Sequence, residues 1–225
     1  MSNQYEYGTN GNSILIVDFQ PIVREGLKSL IRECEDLKVC AEAENAHETM
    51  EVIRRLKPDM VIIDLSIRGV NCIEFIERIK QRYPKLQILV LTMSDESLYA
   101  ERVFRAGANG YIMKHETLNK VTEAIYKVLR GGIYMSHKIE AKIVMFRTLN
   151  HQSKGFPIPI ELLSNRELEV FRLIGQGYGT RRIAEKMFIS IRTVESYRLH
   201  IRKKLKLKNG EELLRQAIQW IKNER

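Results

Sequence analysis

Four polar residues stand where short aliphatic runs give out. Asp18 follows Ser13–Val17, Asp64 follows Met60–Ile63, Thr92 follows Gln87–Leu91, and Lys114 closes the run Gly110–Met113. Any one of them alone reads as a solvated loop residue. As a set they share one chemistry, phosphoryl transfer to a carboxylate. Asp64 would be the nucleophile, Asp18 would help to hold a magnesium ion, and Lys114 and Thr92 would bind phosphoryl oxygens. That chemistry requires a fold that gathers the ends of the four runs in one place.

The surrounding elements alternate in the way such a fold needs. The runs Ser13–Val17, Lys38–Ala43, Met60–Ile63, Gln87–Leu91 and Gly110–Met113 are short and mostly Val, Ile and Leu, as in strands buried on both faces. Helical patterns lie between and after them at Pro21–Cys34, Ala46–Leu56, Asn71–Arg82, Glu96–Ala106 and Thr117–Leu129. In the first, Ile22, Gly26, Leu27, Leu30 and Ile31 are expected on one side. Pro21 suits a first helical turn, and Pro58 and Pro84 fall between a helix end and the next strand. Five βα units in succession predict an α/β doubly wound, five-stranded parallel sheet. In such a sheet the ligand site lies beyond the carboxyl ends of the strands, at the point where strand order reverses.

The net charge of +9 on 225 residues is unevenly spread. Residues 151–225 hold 16 Lys and Arg against 8 Asp and Glu, whereas the first 150 hold 21 against 20. A polyanion such as nucleic acid is therefore the expected partner of the last third. Cys34, Cys40 and Cys72 form no CxxC pair and read as reduced, mostly buried thiols rather than metal ligands or a disulfide. Residues 1–12 read as a flexible tail without the basic-then-apolar layout of a secretion signal. No apolar run approaches the roughly 18 residues of a membrane span. A cytoplasmic protein is expected.

Gly131-Gly132 ends the fifth helix and opens a linker over 131–160, with a candidate helix at Lys138–Leu149 and a hinge at His151–Pro159. From Leu163 onward only helical stretches remain: Asn165–Gly175, Thr180–Met187, Ile191–Lys206 and Gly210–Trp220. They predict a small all-α four-helix domain over 161–225. Ser164 and Glu167 have capping-box spacing, Gly177 suits a helix C-terminus, and Ser190 can cap the third helix. Ile183, Ala184 and Met187 form an apolar stripe on the second helix. The shared core is expected to include Leu163, Val170, Ile174, Ile183, Val194, Ile201, Leu205 and Leu214, with Tyr197 at its edge. The opposite face of the third helix carries Arg192, Ser196, Leu199 and Lys203, with Glu195 to one side and Thr193 and His200 to the other. An apolar inner face and a basic, mixed outer face suit a helix that reads the major groove of double-stranded DNA. Arg192 and Lys203 could bind phosphate or guanine, and Thr193 and His200 are better placed for phosphate. Glu195 could accept from a cytosine amino group, and Leu199 could pack on a thymine methyl. The run Arg202–Lys208 reads as backbone-binding charge.

The segments SILIVDFQPIVREGL, VIIDLSIRGVNCIE, ILVLTMS and GANGYIMK resemble receiver domains of the flavodoxin-like fold, over residues 13–130. The segment Ile160–Trp220 resembles the LuxR-type helix-turn-helix. Together they make the chain similar to two-component response regulators of the NarL/FixJ group. The resemblance implies phosphorylation of Asp64 by a histidine kinase, with Mg2+ held by Asp18, Asp64 and the backbone carbonyl of Ser66. It further implies Thr92 and Tyr111 as the conformational readout, and a homodimer that works with RNA polymerase, away from the membrane and not as an enzyme. The sequence departs from the family in the pocket itself: Phe19 replaces the second of two tandem acids, Arg68 stands where Pro is common, and Cys72 where Gly is common. Magnesium is held by few carboxylates, so losing one should weaken its binding. The alternative is an atypical regulator, independent of phosphorylation, whose receiver serves dimerisation or ligand sensing. An enzyme of similar sheet architecture would need more metal carboxylates or a Gly-rich loop, where this chain has DFQPIVREG.

Overall fold

The structure is a computed structural model that describes residues 11–67, 70–141 and 160–223. The chain divides into two compact units, one within residues 1–146 and one within 147–225. In the first, strands β1 (Asn12–Val17), β2 (Leu37–Ala43), β3 (Met60–Ile63), β4 (Gln87–Thr92) and β5 (Gly110–Met113) form one sheet in the order β2-β1-β3-β4-β5. Every pairing in it is parallel. Helices α1 (Pro21–Arg32), α2 (Ala46–Leu56), α3 (Cys72–Arg82), α4 (Glu96–Arg105) and α5 (Leu118–Leu129) alternate with the strands. The interior strands are buried on both faces: Ile14, Leu15, Ile16, Met60, Val61, Ile63, Ile88, Leu89 and Val90 have no exposed surface. A parallel sheet covered by helices needs such continuous aliphatic runs.

Strand order reverses between β1 and β3, the first strand running to β2 on one side and the third to β4 on the other. Asp18 and Asp64 follow these two strands directly, so the topology alone sets both carboxylates at the switch point. Helix starts are fixed by side-chain caps: Asn45 accepts from the Glu48 amide, Asn71 from those of Ile73 and Glu74, and Asp95 from that of Ser97. Asn71 is therefore a capping position rather than the first helical residue, and Thr117 likewise precedes α5, without a side-chain cap. β1 and β2 slip register at Ile14/Leu15, which pair with Val39 and Ala41 and leave Cys40 as the extra residue.

The inward face of α1 differs from the sequence expectation. Leu27, Leu30 and Ile31 are buried, with Val23 and Cys34 packed against the same core. Ile22 is 80% exposed, and Gly26 is exposed with open space around it. The 23–27–30–31–34 set follows helical spacing and outweighs the alternative that begins at Ile22. Of the cysteines, Cys72 is buried while Cys34 and Cys40 are only half-buried, because α1 ends and β2 runs at the sheet edge there.

Beyond α5, Tyr134 bridges in parallel to Gly110, its carbonyl accepting from the Tyr111 amide at 2.9 Å. The start of the segment expected to be linker thus hydrogen-bonds to β5. Residues 137–141 are helical, whereas 142–149 of the candidate helix, the hinge at 151–159, Arg68 and residues 1–10 of the tail lie outside the described residues.

The second unit packs helices α6 (Asn165–Gly175), α7 (Thr180–Met187), α8 (Ile191–Lys204) and α9 (Gly210–Asn223). Ser164 and Glu167 form the expected capping box. Gly177, at φ +87°, supplies the left-handed turn after α6. Gly175 lets α9 approach, because a Cβ there would collide with the Ala217 carbonyl oxygen. Leu163, Val170, Ile174, Ile183, Val194, Ile201 and Leu205 are buried as expected. Leu214 is not: it is 42% exposed, and Leu213 fills the core in its place. In an adjacent Leu-Leu pair only one side chain can face inward on a helix, and Leu213 is in phase with Ala217 and Trp220.

Candidate functional site

Lys114 is the centre of the pocket. Its ammonium lies 2.6 Å from Asp18 Oδ2 and 3.0 Å from Asp64 Oδ2. It also donates to Gln20 Oε1 at 3.1 Å, so its three N–H donors meet three acceptors. Both carboxylate side chains are 3% exposed and that of Lys114 8%. Asp18 is held on two further sides. Its Oδ1 accepts from the Gln20 amide at 2.8 Å, and its carbonyl accepts from Arg24 Nη1 at 2.7 Å. Arg24 in turn pairs with Glu42 and Glu44. Burial pushes the Asp18 carboxyl above its ordinary range; the Lys114 and Gln20 hydrogen bonds pull it back in part, and the charge of Asp64 adds to the upward push.

Asp64 is less evenly satisfied. Its carbonyl accepts from the Cys72 thiol at 3.3 Å, but Oδ1 is buried without a hydrogen-bond partner. A buried acceptor left open is costly in a purely structural site and suits one that receives a cation or a phosphoryl group. Thr92 is fully buried and its carbonyl accepts from the Lys114 amide at 2.9 Å. Its Oγ1 accepts from the Ser94 amide at 3.2 Å and donates to Ser94 Oγ at 3.4 Å. Tyr111, also buried, donates its hydroxyl to the Ser94 carbonyl at 2.7 Å. Ser94 therefore joins Thr92 to Tyr111.

The structure gathers Asp18, Asp64 and Lys114 around one nitrogen and ties Thr92 to them through the β4–β5 ladder. Ser66 is an exposed turn residue, and Phe19 is half-buried beside Asp18 and brings no carboxylate. Among the described residues no group of three or more His, Cys, Asp or Glu could hold a metal. Gln20 and Ser94 are partners that the sequence pattern did not single out. Gln20 could have been suspected from its place between the Asp18-Phe19 pair and Pro21; Ser94 carries no sequence signal.

In the second unit, α8 presents Arg192, Glu195, Ser196, Leu199, His200 and Lys203 to solvent, with Thr193 half-buried. Val194, Ile201 and Leu205 point inward. Three members of the outer set have intramolecular partners. Thr193 Oγ1 lies 2.7 Å from the Ser190 hydroxyl that caps the helix, and Ser196 donates to the Arg192 carbonyl. His200 Nδ1 stands 3.8 Å from Glu167 Oε1, and Lys204 reaches Glu167 Oε2 at 2.6 Å. Glu167 is buried, which raises its pKa, but Lys204 and the Ser164 cap outweigh burial and hold it below the usual carboxylate value.

The first unit is thus a receiver domain in topology and pocket, and the second a helix-turn-helix. Comparison with known proteins agrees. The response regulator receiver domain family matches residues 14–126, and the luxR family of bacterial regulatory proteins matches 161–217. Oxygen regulatory protein NreC of Staphylococcus haemolyticus is 36% identical over 209 residues, covering 91% of this chain and 96% of the relative. NreC of Staphylococcus aureus strain JH9 is 35% identical over 208 residues, at the same coverage. The RcsB response regulator of Salmonella typhimurium superposes with TM-score 0.64 at 25% identity, over 93% of this chain and 98% of RcsB. RcsB of Salmonella enterica serovar Typhimurium, bound to promoter rprA in the presence of the phosphomimetic BeF3−, gives 0.60 at 25% identity, over 92% and 98%. The chain belongs to the DNA-binding two-component response regulators of the NarL/FixJ group.

Proposed function

We propose that this response regulator is controlled by phosphorylation of Asp64 by a histidine kinase, and that its active form places α8 in the major groove of double-stranded DNA. The observation that carries the reading is the convergence of Lys114 on Asp18 and Asp64 in one buried pocket, with Asp64 Oδ1 left open. Oδ1 is the oxygen suited to attack, since Lys114 neutralises Oδ2. It forms a P–O bond as the P–N bond of a phosphohistidine breaks, and the electron pair leaves on the imidazole nitrogen. The Lys114 ammonium is placed to follow the new charge onto a phosphoryl oxygen. The Thr92 hydroxyl would turn from Ser94 to another, and the Tyr111–Ser94 bond would register that turn.

The donor set fits Mg2+ incompletely. Asp18, Asp64 and the Ser66 carbonyl offer oxygens, and Phe19 offers none, so the ion would keep most of its water and bind weakly. When bound, it neutralises charge on the transferring phosphoryl group.

The proposed domain limits are 13–130 for the receiver, 131–160 for the linker and 161–225 for the DNA-binding domain. Among the described residues no helix is long and apolar enough to cross a membrane. Action in the cytoplasm as a homodimer with RNA polymerase extends from the family, and the RcsB–promoter complex supports a DNA-bound working state. The test is incubation with acetyl phosphate and Mg2+, read by intact mass. Wild type should gain one phosphoryl group and Asp64→Asn none. No gain in wild type would leave Asp64 as an ion-pair partner only.

A further inference from the structure

We propose that α8 selects duplexes in which thymine methyl groups flank a cytosine amino group, through Ile191 and Leu199 on either side of Glu195. The inference rests on the reading of α8 as the groove helix and specifies what it reads. Ile191 is 45% exposed and Leu199 40%, on a helix whose other aliphatics, Val194 and Ile201, have no exposed surface. With Glu195 they form an i, i+4, i+8 series, each step turning about 40°, so the three run as one stripe from the exposed flank of the helix at Ile191 to its outer face at Leu199.

The chemistry of that stripe is unusual for a phosphate-binding surface. A carboxylate accepts hydrogen bonds only and is repelled by phosphate, so exposed Glu195 belongs against a base-edge donor, for which the cytosine amino group is the fitting partner. Two aliphatic side chains have no use for phosphate either. The apolar group that the major groove offers is the C5 methyl of thymine. Arg192 and Lys203, exposed beside the stripe, supply the charge that holds the backbone and mark the occupant as a polyanion rather than an apolar protein face. Ile191 and Leu199 are separated by about 12 Å along the helix axis. At about 3.4 Å per base pair, the two methyls should lie roughly three to four base pairs apart.

The test starts from a pool of randomised duplexes selected on the full chain, with each thymine of the recovered half-site then replaced singly by uracil, which deletes only the methyl. Wild type should lose about fourfold in affinity at each of two thymines, the value of one buried methyl group. Leu199→Ala should be insensitive to uracil at one of these positions and Ile191→Ala at the other. Both residues are surface-exposed, and unchanged circular dichroism would confirm that the variants fold. Uracil tolerated throughout by wild type, or penalties identical in wild type and both variants, would overturn the proposal while leaving groove binding intact. Failure of wild type to enrich any sequence would overturn the groove reading and this inference together.

Discussion

Lys114→Met should expose how much of the receiver's stability is held by one ammonium. Methionine keeps most of the volume and apolar stem of the lysine but removes the charge that lies 2.6 Å from Asp18 and 3.0 Å from Asp64. Two carboxylates then face each other with little access to water. At an effective dielectric near 20, unit charges about 4 Å apart interact by about 4 kcal/mol. Removing one partner of a buried ion pair generally costs about 3–5 kcal/mol. The receiver should therefore be destabilised by about 3–5 kcal/mol at pH 7, a large share of a domain's total stability.

The pH dependence distinguishes this cause from a packing defect. Burial already holds Asp18 above its ordinary value, and the variant removes the lysine that pulls it back, so its pKa rises further. A carboxyl whose folded pKa is raised penalises folding above that pKa, and the penalty vanishes as pH falls to the unfolded value. The gap between variant and wild type should consequently narrow between pH 7 and about pH 4. Scanning calorimetry of the full chain at several pH values, following the receiver transition, measures it. Millimolar Mg2+ should stabilise the variant more than wild type, since a cation can then occupy the place of the ammonium. An unchanged transition at pH 7, or a gap that does not narrow on acidification, would refute the electrostatic reading of the pocket.

Phe19→Asp should restore an acidic ligand beside Asp18, tighten Mg2+ by about tenfold and speed phosphorylation of Asp64 by acetyl phosphate; equal rates in both proteins at low millimolar Mg2+ would show that Phe19 is harmless. Residues 161–225 alone should fold and bind duplex DNA with log affinity falling linearly in log salt, and Arg192→Ala with Lys203→Ala should reduce the slope by about 0.9 for each phosphate that is no longer neutralised. Salt-insensitive binding, or no loss in the double variant, would place the interface elsewhere.

The sheet was legible because its strands are buried on both faces: a short aliphatic run bounded by Pro, Gly or a charge fits few elements besides a buried strand. Met60–Ile63 and Gly110–Met113 lie where the sequence predicts them, and α2, α6 and α7 keep their expected bounds. The errors occur where two phases compete. Ile22 and Gly26 on α1, and Leu214 on α9, are residues whose neighbours Val23 and Leu213 offer an equally apolar stripe one step around the helix. Only the packed partner decides between the two. In the pocket, Asp18, Asp64 and Lys114 could be read from strand ends, because topology alone brings those ends together. Gln20 is hinted at only by its place before Pro21, and Ser94 not at all, since its role arises from a loop conformation that no residue pattern encodes.

The basic segment of α8 shows the same limit with a consequence for function. Arg202–Lys208 reads as backbone-binding charge, yet the fold divides it. Leu205 is buried, and Lys204, whose side chain stays 40% exposed, pairs with Glu167, which also closes the capping box with Ser164 at the start of α6. One carboxylate thus fixes where α6 begins and anchors α8 against it. His200 stands 3.8 Å from the same carboxylate while remaining exposed on the outer set. Lys204, though exposed, is engaged by that carboxylate, so the electrostatic footprint on DNA is smaller than a count of lysines and arginines suggests, with Arg192 and Lys203 as the other exposed basic residues of α8. A helix with less free charge on its outer face depends more on base contacts for its affinity. That dependence gives the exposed stripe of Ile191, Glu195 and Leu199 its weight in choosing a site.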